Sequence, residues 1–298
     1  MQAQYVRDRL KEIYPDLGLE IKTIKTVGDK ITDVALSKIG TEGLFTKEIE
    51  EALLKKEIGL AVHSMKDLPT KLPEGLKIAA ALERENPCDI LVSKQGYSIE
   101  ALPKNAKIGT SSLRRRSQLL HIREDLNAQD LRGNLDTRIK KLEQGLYDAI
   151  ILAYAGVKRL GLALKLTVIP VEDMLPQAGQ GALAIETRED DSSVYNLVKV
   201  LDDCDCHLCI NAERALLSGL EGGCQVPIGV YAQVKRNKIS IKAGVFSLDG
   251  KRAVKDEISG NKEDAEILGR KLAGRILKEK TARRILDELK RCGVNPRT

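Results

Sequence analysis

Aromatic side chains are nearly absent from this sequence: it has no Trp, two Phe and seven Tyr in 298 residues. Proteins that hold single strands of nucleic acid by base stacking need aromatic platforms, so the scarcity argues against nucleic-acid partners. Long apolar runs are absent too. No stretch approaches the roughly 18 residues that would cross a bilayer, so no membrane span is expected. No leader pattern of a basic start, an apolar run and small residues precedes the first predicted helix. The six cysteines are uneven, with Cys204, Cys206 and Cys209 crowded together. Disulfides are therefore not expected, and a reducing cytoplasmic setting is. The crowded cysteines lack a second ligand pair at zinc-site spacing, so no metal is expected and they read as incidental thiols on a boundary helix.

What is present is an ordinary globular composition. Hydrophobic residues make up 42% and charged residues 31%. At this length two or three domains are expected rather than one core. The net charge of +6 suits an anionic small-molecule ligand or a plain solvated basic surface.

Periodicity predicts helices over 3–13, 45–55 and 135–143, with others beginning near Ser111 and running through Val157. Strands are predicted at Leu19–Ile24, Gly59–Val62, Asp89–Val92, Lys107–Gly109 and Asp148–Ala153. Alternating strand and helix gives a doubly wound α/β class. The crossovers near 83–88 and 176–182 divide it into two lobes facing a cleft. After about residue 204 the pattern changes to a helix over Asn211–Leu217, strands at Gly229–Val234, Ile239–Phe246 and Lys251–Ile258, and two amphipathic helices. Asp249-Gly250 marks a hairpin. The expected division is 1–84 with 180–202 as lobe 1, 85–179 as lobe 2, and 203–298 as a C-terminal α+β domain with a small antiparallel sheet.

Three clusters carry chemistry. In Leu220-Glu221-Gly222-Gly223-Cys224-Gln225-Val226-Pro227 two glycines free the backbone before a thiol and a proline stiffens it afterwards. His63-Ser64-Met65-Lys66-Asp67 follows a short buried strand, and ligands of open α/β sheets gather at strand carboxyl ends. Gly109-Thr110-Ser111-Ser112-Leu113-Arg114-Arg115 sits at a helix start, where free amides favour anions. Arg132 and Arg138 flank another helix start, Lys38 precedes a Gly40–Gly43 loop, and Lys158 and Arg159 follow a core strand. Each cation alone is by default a solvated charge; repeated placement at strand-to-helix turns points to a ligand cleft. Leu175-Pro176-Gln177-Ala178-Gly179-Gln180-Gly181 reads as the return crossover, since a phosphate loop would end in Lys-Ser/Thr.

In this order and spacing the three clusters resemble the porphobilinogen deaminase (hydroxymethylbilane synthase) family, and the resemblance spans essentially the whole chain. It implies two periplasmic-binding-protein-like lobes plus a third domain, and a transferase of tetrapyrrole (heme) biosynthesis that polymerises four porphobilinogen molecules into hydroxymethylbilane with release of ammonia. It implies a covalent dipyrromethane cofactor joined through the sulfur of Cys224, and Asp67 as the catalytic carboxylate. A carboxylate there stabilises cationic states and handles protons as pyrroles couple. The expected cofactor- and substrate-binding set is Lys38, Ser64, Lys66, Thr110, Ser111, Ser112, Arg114, Arg115, Arg132, Gly133, Arg138, Arg159 and Gln180, because arginine forks match carboxylates bidentately. His63 is left outside the catalytic set and Arg116 is read as solvated. The family precedent is a monomer.

The sequence departs from the family at two points. Met1-Gln2-Ala3-Gln4-Tyr5-Val6 resembles the middle of the family's first helix. The resemblance thus implies about 17 further residues ahead of it, with a strand and an Arg-x-Ser loop, whose loss would unpair sheet edges. Glu42 stands where the family often has Lys. Two rivals follow: an inactive or impaired N-terminally truncated form, and a non-catalytic anion-binding two-lobed protein.

Overall fold

The computed structural model describes residues 1–27, 46–220 and 226–291. Lys38, Glu42, the Gly40–Gly43 loop and Cys224 lie outside these residues.

Three sheets organise the chain. The first has the order β1-β8-β2, where β1 is Leu60–Ser64, β2 Leu76–Ala81 and β8 Leu183–Arg188. Both neighbours of β8 run antiparallel to it, with Ser64 opposite Leu183 and Ala81 opposite Ala184. Helices α1 (Gln2–Ile13) and α2 (Lys47–Leu54) and, later in the chain, α6 (Ser192–Val198) accompany it. Val6 and Leu10 of α1 pack with Ala80, Leu183 and Ile185, as their helical spacing predicts.

The second sheet has the order β5-β4-β6-β3-β7, with β3 at Asp89–Ser93, β4 at Lys107–Gly109, β5 at Asn127–Gln129, β6 at Ala149–Ala153 and β7 at Leu166–Ile169. Strands β4, β5 and β6 are parallel, while β3 runs antiparallel to β6 and β7. Helices α3 (Leu113–Ile122), α4 (Leu135–Glu143) and α5 (Tyr154–Arg159) follow β4, β5 and β6. Every residue of β3 is buried, consistent with a strand covered on both faces.

The C-terminal unit places the antiparallel sheet β11-β10-β9 against helices. Helix α7 (Cys204–Gly219) precedes β9 (Ile228–Lys235), β10 (Lys238–Phe246) and β11 (Ala253–Asn261), and α8 (Ala265–Lys278) and α9 (Lys280–Arg291) close it. Gly250 takes φ 72° at the β10–β11 hairpin, the conformation that its Asp-Gly signal requires. Leu216, Val230, Ile241, Leu272 and Ile285 share one core.

One expectation is corrected. No strand forms over Leu19–Ile24: alternation supplies a face but not a neighbour, and a strand exists only within a ladder. Strands β2, β5, β7 and β8 and helix α6 escape the sequence reading; the alanine-rich β2 and the charged end of β8 carry no clear strand alternation.

Candidate active site

The site begins where the strands of the second sheet end. Because β4, β5 and β6 are parallel, the starts of α3, α4 and α5 gather at one end of the sheet. Ser112 caps α3, its side chain accepting from Arg115 N, and Asn134 caps α4, accepting from Thr137 N. Ser111 Oγ donates to Leu131 O at 2.8 Å and accepts from Leu131 N at 3.0 Å. The two loops are thereby tied together, and Arg132, Gly133 and the α3 start share one rim. Thr110 is buried and its N–H donates to Gln129 O at 2.8 Å. Gly133 has φ 106°, a conformation open to glycine.

Strand β3 runs the other way, so its first residue, Asp89, sits beside Ala153 at the same end. Its carboxylate is fully buried. Arg114 Nη1 donates to Asp89 Oδ2 at 2.7 Å and to Leu175 O at 2.8 Å. Arg115 Nε and Nη2 donate to Asp89 Oδ1 at 3.0 and 2.8 Å, and its Nη1 to Ile151 O at 3.2 Å. Gln180 Nε2 completes the set, donating to Asp89 Oδ1 at 2.9 Å and to Pro87 O at 2.6 Å. Burial alone would raise the Asp89 carboxyl, but the charges of Arg114 and Arg115 overcome it and hold the group well below the usual carboxylate range. Arg114 Nε is buried without a hydrogen-bond partner.

Sequence reasoning missed Asp89. The signal was there: a carboxylate heading the apolar run Asp89-Ile90-Leu91-Val92 must find cationic partners once that run is buried.

From the first sheet comes the turn Met65–Asp67, a 3₁₀ segment directly after β1. Gln2 Nε2 of α1 donates to Ser64 Oγ at 2.8 Å. Gln177 Nε2 of the return crossover donates to Lys66 O at 3.1 Å, and Met65 N to Ala182 O at 3.1 Å. Asp67 is open to solvent yet crowded by protein. That crowding pushes its carboxyl above the ordinary range, with Lys66 and then His63 pulling the other way. Burial lowers Lys66, Asp67 opposes this, and the charges of Arg115 and Arg114 depress it further. Lys66 is therefore within electrostatic reach of the arginine pair on α3. His63 Nε2 lies 3.0 Å from Glu186 Oε2, pointing back into the first sheet rather than toward the site.

The remaining cations divide. Arg138 Nε donates to Gly133 O at 2.8 Å, and burial together with the charge of Arg115 lowers its pKa. No acidic partner stands beside Arg132 or Arg138 among the described residues. Arg159 Nη2 donates to Gly181 O at 2.6 Å on the return crossover. Arg116 is exposed. Gln180 is buried and engaged with Asp89, so it supports the arginine pair. Leu220 and Val226, on either side of Cys224 in the chain, are both anchored in the C-terminal core.

An anionic group carrying several carboxylates suits this donor set: two helix starts, a buried guanidinium edge without a partner, and arginines without acids.

Comparison with known proteins gives a consistent result. The profile of the porphobilinogen deaminase dipyromethane cofactor binding domain matches residues 1–196, and that of the porphobilinogen deaminase C-terminal domain matches 207–278. A porphobilinogen deaminase of Carboxydothermus hydrogenoformans is 54% identical over 266 residues, covering 89% of this chain and 86% of that protein. One from Chloroherpeton thalassium is 51% identical over 259 residues, covering 87% and 82%. Among solved structures, an ancestral cationic amino acid solute binding protein is 17% identical with a TM-score of 0.43, covering 66% of this chain and 77% of that one.

Proposed function

The chain belongs to the porphobilinogen deaminase family, and on that premise we propose that Asp67 and the arginine-lined rim facing it are where its chemistry takes place. The activity is hydroxymethylbilane synthase, a transferase of tetrapyrrole biosynthesis that joins four porphobilinogen units and releases ammonia. The cofactor of the family is dipyrromethane; when bound, it supplies a covalently held pyrrole to which the incoming units are joined. We assign its attachment to Cys224, the thiol of the glycine hinge between α7 and β9.

The residues divide the work. Arg114, Arg115, Arg132 and Arg138 bind the acetate and propionate carboxylates of cofactor and substrate, with Thr110, Ser111, Ser112 and Gly133 shaping the rim and Gln180 bracing it. Ser64 and Lys66 bind from the end of β1, Arg159 binds from α5, and Lys38 is assigned to the same set. Asp67 is the one carboxylate of this set, and its charge stands among cations. Its oxygens stabilise positive charge on the pyrrole nitrogens, and they accept the proton released as each new carbon–carbon bond forms. A porphobilinogen unit loses its amino group as ammonia in the same cycle, so one carbon–nitrogen bond breaks for each carbon–carbon bond made.

The observation that carries this reading is that Lys66, next to Asp67 in the chain, feels the charges of Arg115 and Arg114, while Arg132 and Arg138 have no acidic partner among the described residues. A plain anion-binding cleft has no use for an acidic residue whose carboxyl is raised by crowding. The division into lobe 1 (1–84 and 180–202), lobe 2 (85–179) and a C-terminal domain (203–298) is supported by one sheet falling in each. A monomer in a reducing cytoplasm is supported by exposed apolar residues scattered over many elements and by the unpaired thiols of Cys88, Cys204, Cys206 and Cys209. No described helix is long and apolar enough to cross a membrane.

The test is the intact mass of the purified chain, followed by mapping of the peptide holding Cys224. An adduct of two pyrrole units on Cys224 is expected. An unmodified thiol in a chain that turns over porphobilinogen would overturn the assignment.

A further inference from the structure

Two adjacent arginines forming one anion site face a physical difficulty: side by side in a poorly solvated pocket, like charges repel and the guanidiniums turn away from each other. The fold resolves this with one carboxylate. Asp89 Oδ1 takes the Nε–Nη2 edge of Arg115 at 3.0 and 2.8 Å, and Oδ2 takes Arg114 Nη1 at 2.7 Å. The rest of the Arg114 Nη1 group is spent on Leu175 O at 2.8 Å. Arg114 thus keeps its own Nε–Nη2 edge, the one with two parallel donors. Its Nε is buried without a partner, and its Nη2 has none among the described residues. Asp89 is itself fixed by Gln180 Nε2 at 2.9 Å, a residue of the return crossover.

We propose that Asp89 is the positioning residue of this site: it sets Arg114 and Arg115 in a fixed side-by-side pair, cancels one of their two charges, and leaves the Nε–Nη2 edge of Arg114 to receive one carboxylate of the bound pyrrole chain. The proposal rests on the family reading in which these arginines hold cofactor or substrate carboxylates. Asp89 touches no ligand. It acts through the arginines, and through Gln180 it registers them against the segment that also carries the Lys66 contact. Replacing the charge while keeping the shape leaves two unneutralised cations and lets Arg115 swing off its fork. Misplacement on the ångström scale costs on the order of 10²-fold in rate.

The experiment compares wild type, Asp89→Asn, Arg114→Met and the Asp89→Asn/Arg114→Met double variant. Four readouts are taken: melting temperature, the fraction of chains carrying the two-pyrrole adduct by intact mass, kcat and KM. Folded Asp89→Asn is expected to carry the adduct on a minority of chains and to lose roughly 10²-fold in kcat/KM. In the Arg114→Met pair one repelling cation is gone, so folding is less at stake. There the double variant is expected to show a KM roughly tenfold above that of Arg114→Met alone, because Arg115 has lost its orientation. Should Asp89→Asn fail to fold, this pair decides. A folded Asp89→Asn with full adduct and unchanged kcat and KM overturns the proposal, as do equal constants for the two Arg114→Met variants. Wild-type chains without the adduct fail separately, removing the cofactor reading on which the proposal stands.

Discussion

At the scale of single residues, the site is built from groups whose ionisation is set by their neighbours. Crowding raises the Asp67 carboxyl, and Lys66 restrains the rise. On the role proposed for Asp67, turnover needs the carboxylate, so kcat/KM should fall with acidification at a pH above the ordinary aspartate value of about 4. Lys66→Met, which removes the restraining charge, should move that acid limb to higher pH; a pH–rate profile checks both. The stability sign runs the other way. A carboxyl raised in the folded state is stabilising only at low pH, and that stability is lost as pH rises through its folded value. Asp67→Asn should therefore keep or raise the melting temperature at neutral pH while lowering turnover by about 10²–10⁴-fold. The thiols give a second residue-scale expectation. Burial pushes Cys206 and Cys209 up to about 12, whereas Cys204 is exposed. Alkylation at pH 8 followed by peptide mass mapping should label Cys204 and spare the other two, since only the thiolate reacts. As candidates, Asp67 and the arginines were legible from their motifs. Asp89 was not, because its role depends on β3 running antiparallel to β6, which brings residue 89 to the strand ends beside Arg114 and Arg115.

At the scale of elements, helix positions were the most readable feature. The predicted helices over 3–13 and 135–143 form as α1 and α4, and Ser112 and Asn134 cap α3 and α4 as short polar residues at helix starts should. The strand expected over Leu19–Ile24 does not form, since pairing is a non-local property. The crossovers show what the glycines are for. Glu85 N donates to Gly181 O at 3.2 Å, and Arg84 Nε to Gln180 O at 2.9 Å, so the two segments running between the first and second sheets are bonded to each other. Gly181 has φ 94°, and a Cβ there would collide with the carbonyl oxygen of Glu85. Gly181→Ala should cost on the order of 1–3 kcal/mol. It should lower the melting temperature by several degrees and reduce turnover, read by thermal denaturation and by kcat.

At the scale of the whole molecule, one buried ion pair ties both crossover segments to the C-terminal helix and sheet. Arg84 Nη1 and Nη2 donate to Glu213 Oε1 and Oε2 at 2.6 and 3.2 Å. Glu213 on α7 also accepts from Gly179 N at 2.7 Å and from Ala232 N of β9 at 2.8 Å. Removing only the cation strands a carboxylate that is fully buried. Arg84→Met should therefore cost about 3–5 kcal/mol, a fall on the order of 10 °C in Tm at roughly 2–4 °C per kcal/mol. Arg84→Met/Glu213→Gln should recover part of it, and an equal loss in both variants would discount the pair. The sequence alone determined most of the helices, the hairpin at Asp249-Gly250 and the motifs that identify the family. These are local: a cap, a turn or a five-residue motif is encoded within a few positions of the chain. Tertiary structure alone decided which strands pair, that Asp89 and Gln180 stand behind the arginines, and that Glu213 closes the junction. Those contacts join residues from 25 to 129 positions apart, and no local pattern records which distant carboxylate a buried guanidinium will meet.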